Sequence, residues 1–385
     1  MNFALNEEQA AIFDMARSFA HEKIAPFALE WEEQGHLPRE ILSELAGLGM
    51  ASIYVTGEHG SELSRLDATL IFEGLSYGCA STAAFLSIHN MCAWMVDSFG
   101  DAALKATWLP KLASAEVICS YCLTEPGSGS DAAALRSSAR KTAEGYVLNG
   151  TKSFISGGGY SDLYLVMVRS GGDGAKGVSA ILVANGSKGL SFGANEKKMG
   201  WRNQPTAEVR FDACLVPHGN LLGQEGRGFS YAMRGLDGGR LNIAACALGA
   251  AQSALDKALT YMGERKAFGQ TLDQFQALQF KLADMEIALQ TARVFLRQAA
   301  WKLDHQTSDA SQHCAMAKKY VTDVWFGVAN DALQLHGGYG YLNAYGLEKI
   351  VRDLRVHQIL EGTNEIMQLI ISRALLANRA SGAVL

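Results

Sequence analysis

Val117-Ile118-Cys119-Ser120-Tyr121-Cys122-Leu123-Thr124-Glu125-Pro126-Gly127-Ser128-Gly129-Ser130-Asp131 decides between two folds. Its first seven residues read as a β-strand. The loop after them holds Gly127, Gly129 and Ala132, a G-x-G-x-x-A match to a dinucleotide-binding turn. Such a turn opens a helix inside a βαβ unit. No helix-length pattern follows here. Instead the short β-rich runs Tyr146–Leu148, Asp162–Val168, Val178–Val183 and Ala207–Phe211 appear, with turn signals between them. Asn149-Gly150 predicts a hairpin turn, since both residues tolerate positive φ, and Phe154-Ile155-Ser156 ends that hairpin. Gly171 to Gly174 predicts another loop. The segment is therefore expected to be antiparallel and barrel- or sandwich-like. Thr124 to Asp131 becomes a loop rich in backbone N–H and hydroxyl groups, suited to a polar heterocycle or a phosphate. An ordinary Gly/Ser loop is the bland reading.

Helical patterns flank this segment. Asn6 with Gln9 predicts an N-cap whose N3 side chain reciprocates, and apolar stretches run through Leu70–Tyr77 and Ile88–Phe99. Beyond residue 225, Ala244–Met262 and Gln276–Leu303 are long and Ala/Leu-rich, and no proline follows Pro217. That is the signature of a helix bundle. The expected class is α+β: an N-terminal helical domain (1–115), a central β-domain (116–225) and a C-terminal four-helix bundle (226–385).

Composition narrows the partners. The 385 residues are 48% hydrophobic and 19% charged, with net charge −5. That balance offers no basic face to nucleic acid and no polybasic run to a membrane. No apolar run reaches the ~18 residues of a membrane span. Met1–Glu8 has two acids and no basic residue, unlike a signal or transit segment. The expected location is the cytoplasm, with a processed mitochondrial-matrix form as the alternative. Seven scattered cysteines read as reduced thiols. Cys119 and Cys122 form a C-x-x-C within a strand, and no second pair follows at zinc spacing, so no metal is expected.

Four further segments carry candidate chemistry. Asp237-Gly238-Gly239-Arg240 lies near the start of a long helix, and its glycines let a group approach the backbone closely. A helix-entry loop is the plain alternative. Arg265, Phe268 and Gln276 surround one interhelical break, and Gln334, His336, Gly337 and Gly338 a second; both are also readable as simple turns. Glu361-Gly362-Thr363-Asn364-Glu365 follows the apolar Ile359-Leu360. A carboxylate placed there is open to desolvation, which raises its pKa toward a useful general base. A surface turn is the competing reading.

Tyr121–Asp131, Phe154–Ser156, Arg265–Phe268, Gln334–Gly338 and Glu361–Glu365, taken together and in order, resemble the acyl-CoA dehydrogenase family across essentially the whole chain. The resemblance implies FAD, a homotetramer with FAD held partly across a subunit interface, and electron-transferring flavoprotein as partner. It implies that Tyr121, Leu123, Thr124, Gly129, Ser130, Phe154, Ile155 and Ser156 contact the flavin. Arg265, Phe268, Phe275 and Gln276 hold its pyrophosphate and adenosine side. Gln334, Leu335, His336, Gly337 and Gly338 reach the FAD of a neighbouring subunit, while Thr363, Asn364 and Glu365 complete the flavin site. Ser130, Asp237, Gly238, Gly239, Arg240 and Arg373 contact acyl-CoA. The implied chemistry is removal of the α-proton of the thioester by Glu361 and transfer of the β-hydride to flavin N5. The backbone N–H of the glutamate and a ribityl hydroxyl steady the enolate oxygen.

Some members place their base just before the arginine matching Arg240. Gly239 occupies that position and cannot serve. Ser87–Met95, Arg234–Arg240 and Val356–Gly362 resemble the branch of the family that acts on isobutyryl-CoA in valine breakdown, with Gly238-Gly239 leaving room for an α-methyl group. Asp237, where that branch tends to have Asn, keeps butyryl-CoA and 2-methylbutyryl-CoA in play. An oxygen-using oxidase, a silent DNA-associated member and a NAD-linked dehydrogenase are the remaining alternatives. The absent βαβ unit disfavours the last.

Overall fold

A computed structural model describes residues 4–381. Residues 1–3 and 382–385, which end the outer two expected domains and begin the Met1–Glu8 stretch, lie outside the described residues. The first helix starts with a capping box. Asn6 accepts from the Gln9 N–H at 2.8 Å, and the Gln9 side chain accepts from the Asn6 N–H at 3.3 Å. Helices α1 (Glu7–Phe19), α2 (Ala28–Gln34), α3 (Arg39–Gly47), α4 (Arg65–Ser76), α5 (Ala80–Phe99) and α6 (Ala102–Ala113) form the N-terminal layer. Pro26 falls in a 3-10 turn and Pro38 at the N-cap of α3. α4 and α5 are apolar almost all round and correspondingly buried, from Leu70, Ile71 and Phe72 to Phe85, Leu86 and Met95.

Strands β1 (Cys119–Cys122), β2 (Ser138–Lys141), β3 (Tyr146–Ser156), β4 (Leu163–Arg169), β5 (Val178–Ala184), β6 (Leu190–Phe192), β7 (Thr206–Val216) and β8 (Leu221–Leu222) make one sheet. Its order is β6-β7-β3-β2-β4-β5-β8, with β1 added on β4. Two expectations are corrected here. Asn149-Gly150 is not a turn: β3 runs through it, and the pairing with β7 shifts register between Leu148 and Gly150. The bulge tucks Gly150 against Ser137, whose Oγ would lie 2.3 Å from any Cβ, while Asn149 accepts from the Ala213 N–H at 2.9 Å. The hairpin reverses earlier, where the Thr142 N–H donates to the Gly145 carbonyl at 2.8 Å. Nor is the sheet wholly antiparallel. β1 pairs with β4 in parallel, Cys119 opposite Leu163 through Cys122 opposite Val166, and β2 meets β4 in parallel at one point. The β2–β3 hairpin serves as the crossover that a helix usually provides.

The last third contains α7 (Gly228–Glu264), α8 (Gln276–Asp304), α9 (Ala310–Leu335), α10 (Leu347–Arg355) and α11 (Asn364–Ser381). α7, α8, α9 and α11 are the long members of the bundle. Between α7 and α8 sits a small hairpin, β9 (Lys266–Ala267) and β10 (Gln270–Thr271), with Phe268-Gly269 at its tip. A third correction concerns Asp237–Arg240, which are not a helix entry. They lie inside α7, nine residues past its first.

The three regions share buried polar ties. His89 donates from Nε2 to the Leu112 carbonyl (3.0 Å) and accepts on Nδ1 from the Cys119 N–H (3.1 Å), fixing α5 to β1. Burial drives its pKa down to about 4, so it is neutral. Tyr54 donates to Asn242 of α7 at 2.8 Å, and the Trp201 N–H to Asp353 of α10 at 2.6 Å. All seven cysteines are buried and free. Among the described residues no His, Cys, Asp or Glu cluster could hold a metal, and no helix is long and apolar enough to cross a membrane.

Candidate functional site

After α10 the chain makes a 3-10 turn at Val356–Gln358 and reaches Glu361 and Gly362, both left-handed, with φ of 53° and 90°. A glutamate in that region is strained by ~1–3 kcal/mol, so the surroundings must hold it there. They press its side chain onto α7. A Cβ built on Gly239 would lie 2.2 Å from Glu361 Oε2. Oε2 is buried and has no hydrogen-bond partner within the chain. Burial pushes the Glu361 pKa from 4.5 up to about 7, against the pull of Arg240 and Lys318. Among the described residues none accepts a hydrogen bond from the Glu361 backbone N–H.

Arg240 is buried, donates to Asp237 at 2.7 Å and approaches the Glu361 carbonyl at 3.4 Å. Ser311 of α9 donates to the other Asp237 oxygen. Lys318, fully buried on α9, donates to the Gly362 carbonyl at 2.8 Å and to Asn364 Oδ1 at 2.9 Å. Asn364 in turn donates to Thr322 (3.0 Å) and Asp323 (2.7 Å). Thr363 caps α11 by accepting from the Ile366 N–H at 3.3 Å, and Glu365 is exposed. Tyr121, on β1, is close enough to Glu361 to feel its charge. Its hydroxyl is buried without a partner, and its pKa is raised by burial, then by Cys92 and Glu361.

The neighbouring glycine has a different occupant. The Arg65 guanidinium, stacked over the rings of Tyr54 (3.8 Å) and Trp94 (4.8 Å), would lie 2.3 Å from a Cβ on Gly238. The room expected at Gly238-Gly239 for a methyl branch is therefore filled by Arg65 and Glu361.

The Thr124–Asp131 loop is held by a buried ion pair. Lys152 on β3 donates to Glu125 at 2.8 Å and to the Leu123 carbonyl at 3.0 Å. Glu125 also accepts from the backbone N–H groups of Arg136 (2.6 Å) and Ser137 (2.9 Å). Burial alone would raise the Glu125 pKa, but Lys152 and these bonds outweigh it and lower the value. The loop's Gly127 and Gly129 have open space where a Cβ would stand, and Ser130 is exposed. Leu123, just before the loop, belongs to the apolar cluster that also takes in Leu236 of α7. Of Phe154-Ile155-Ser156, the Phe154 ring stands 68% exposed on a left-handed backbone, Ile155 is buried in the core, and Ser156 donates to Gln204 at 3.1 Å.

The remaining candidates gather elsewhere. Arg265, Gln334, Leu335, His336, Gly337 and Gly338 line one groove of about 530 Å³ with Tyr261, Lys281 and Tyr339. His336 stacks on Tyr261 at 4.3 Å and donates to the Ala332 carbonyl at 2.8 Å, so it has both a structural partner and a face toward the groove. Phe268 is 97% exposed at the hairpin tip, 6.3 Å from the ring of Phe275, and Gln276 starts α8, also exposed. Arg240 and Arg265 are 25 residues apart along α7, about 37 Å at the helical rise. The candidates thus form two separate groups. Arg373 belongs to neither: it is exposed on α11, about 14 Å along that helix from Asn364.

Lys318, Arg65 and the Glu125–Lys152 pair were not among the sequence-derived candidates. For the two lysines the signal was a charge on an apolar face. Lys318 follows the core spacing of Cys314, Ala317, Val321 and Trp325, and Lys152 that of Tyr146 and Leu148.

Known proteins share both the sequence and the architecture. Residues 6–116, 120–214 and 226–376 match the N-terminal, middle and C-terminal domain models of acyl-CoA dehydrogenase. The chain is 52% identical over 373 residues to the mitochondrial isobutyryl-CoA dehydrogenase of Dictyostelium discoideum, covering 96% of this chain and 90% of that protein. It is 49% identical over 376 residues to the corresponding Bos taurus enzyme, covering 97% and 90%. The butyryl-CoA dehydrogenase structure from Megasphaera elsdenii superposes with a TM-score of 0.94 at 36% identity, covering 98% of this chain and all of that one. With all three domain models matched in order and half of its residues shared with enzymes of this class, the chain belongs to the acyl-CoA dehydrogenase family.

Proposed function

We propose that this enzyme dehydrogenates a short branched acyl-CoA at its α,β-bond, isobutyryl-CoA before others, with Glu361 as the base. One observation carries the reading. Glu361 is half-buried with its Oε2 buried against Gly239, and its pKa is pushed up to about 7, the range in which a carboxylate both ionises and accepts a proton effectively. Its backbone N–H is free to donate to the thioester oxygen, where negative charge develops as the α-proton leaves. Arg240, braced by Asp237, fixes the turn from the α7 side.

The residues present fit FAD. Open glycines in the Thr124–Asp131 loop, the free Phe154 ring and the unpartnered Tyr121 hydroxyl suit a flat polar ring beside Glu361. FAD supplies the acceptor for the β-hydrogen when bound. The groove at Arg265 and Gln334–Gly338 offers a cation and backbone groups to a pyrophosphate, yet about 37 Å of α7 separates it from Arg240. That span supports FAD shared between two copies of the chain, in the homotetramer the resemblance implies. Electron-transferring flavoprotein is the proposed acceptor. The mitochondrial names of the two relatives support the matrix alternative for location.

Two results are expected. With an artificial electron acceptor, kcat/KM for isobutyryl-CoA should exceed that for butyryl-CoA and 2-methylbutyryl-CoA by roughly 10-fold or more, the range one methyl group supports. A butyryl-CoA preference would make this a straight-chain enzyme. Gly239→Ala should lower kcat/KM by ~10²-fold, mainly through kcat, because the added methyl displaces the carboxylate by about 1 Å or more. Near-parental turnover of that variant would show that Glu361 can retreat without losing its role.

A further inference from the structure

We infer that Lys318 is a positioning residue for proton abstraction, holding Glu361 by gripping the carbonyl of Gly362 and the first side chain of α11. The inference rests on Glu361 being the base. Lys318 has 0% exposure on a helix face otherwise made of Cys314, Ala317, Val321, Thr322 and Trp325. A lysine there is costly unless it is bonded. Its two bonds, 2.8 Å to the Gly362 carbonyl and 2.9 Å to Asn364, both go to the turn that carries Glu361 rather than to a carboxylate. Lys319 beside it behaves differently, pairing with Asp323 at 2.9 Å on the surface. The left-handed pair Glu361-Gly362 needs a clamp against relaxation, and the Lys318 ammonium holds the Gly362 carbonyl while Arg240 approaches that of Glu361.

The cation also acts at a distance. The charged and titratable groups around Glu361 are Arg240, Asp237 and Cys246 on α7, Lys318 and Asp323 on α9, Glu365 on α11, and Tyr121 on β1. Arg240 and Lys318 are the two that favour the ionised carboxylate. Lys318's own pKa is lowered by burial to about 8, so it carries its charge below that pH. Removing it leaves Glu361 harder to ionise, and the rising limb of the pH profile moves upward.

The test uses the FAD-loaded enzyme with isobutyryl-CoA and an artificial acceptor between pH 6 and 8. Lys318→Met should lower kcat by ~10²-fold with KM changed less than about threefold, and should shift the kcat/KM limb to higher pH. Lys318→Gln, which keeps a donor for the Gly362 carbonyl, should recover most of kcat but retain the shifted limb. Lys318→Arg should leave the limb in place. If Met fails to fold, Gln decides. Variants that melt earlier yet keep both the parental kcat and the parental limb would reduce Lys318 to a structural tie and overturn the inference. Glu361→Gln in parallel separates the two ideas. Turnover retained there removes the base assignment itself, whereas a dead Glu361→Gln beside unshifted Lys318 variants removes only this inference.

Discussion

Glu361→Gln should lower kcat by about 10⁴-fold, the upper end of what a positioned base contributes, while FAD stays bound and acyl-CoA affinity changes little. The amide matches the carboxylate in size, so it still fits against Gly239, where a Cβ would stand 2.2 Å from Oε2. It cannot accept the α-proton. Among the described residues no second carboxylate is placed to replace it: Asp237 is engaged by Arg240 and Ser311, and Glu365 is exposed. Anaerobic mixing with isobutyryl-CoA should leave the flavin spectrum of the variant essentially oxidised. Bleaching at a tenth of the parental rate or faster would mean that another group takes the proton. Glu361→Asp is the useful companion. Its carboxylate is set back by one methylene, so it should fall between the parent and Gln.

The second large effect is on stability. Lys152→Met should cost about 3–5 kcal/mol, because it leaves the Glu125 carboxylate buried without its cation. Lys152 has 0% exposure and Glu125 8%. The N–H groups of Arg136 and Ser137 still bond to Glu125 and soften the loss, while the Leu123 carbonyl loses its 3.0 Å partner. The damage should centre on the Thr124–Asp131 loop, so FAD retention through gel filtration should fall with the urea midpoint. In the double variant Lys152→Met/Glu125→Gln no buried charge remains and an acceptor for the two N–H groups is kept, so most of the stability should return. A single variant within 1 kcal/mol of the parent would show that the pair contributes nothing net.

Much of this was legible in the sequence, and the failures share a cause. Local signals served well where the chain decides locally. The Asn6–Gln9 cap, the long proline-free helices and the rejection of a dinucleotide turn after Leu123 all appear in the structure. Asn149-Gly150 misled because pairing with β7 converts the strongest hairpin signal into a bulge. Asp237–Arg240 misled because two glycines read as a helix boundary. Inside α7 they are instead the places where Arg65 and Glu361 pack against the backbone, which offsets the ~1 kcal/mol each costs a helix. No periodicity could announce Arg65, whose meeting with Gly238 depends on how α4 lies on α7. Lys318 and Lys152 were visible in principle, as lone cations at core spacing.

The raised carboxylate of Glu361 has a thermodynamic counterpart. In the unfolded chain it releases its proton near pH 4.5, and in the native state only near 7. Between those values the folded protein binds the extra proton, so stability declines as pH rises through that window and is level above it. At about 1.4 kcal/mol per unit, the ionised base opposes folding by at most about 3 kcal/mol at neutral pH. Glu361→Gln should therefore melt higher than the parent above pH 7 and lose that advantage toward pH 4.5. An enzyme built this way trades part of its endurance for a reactive group held at the edge of ionisation.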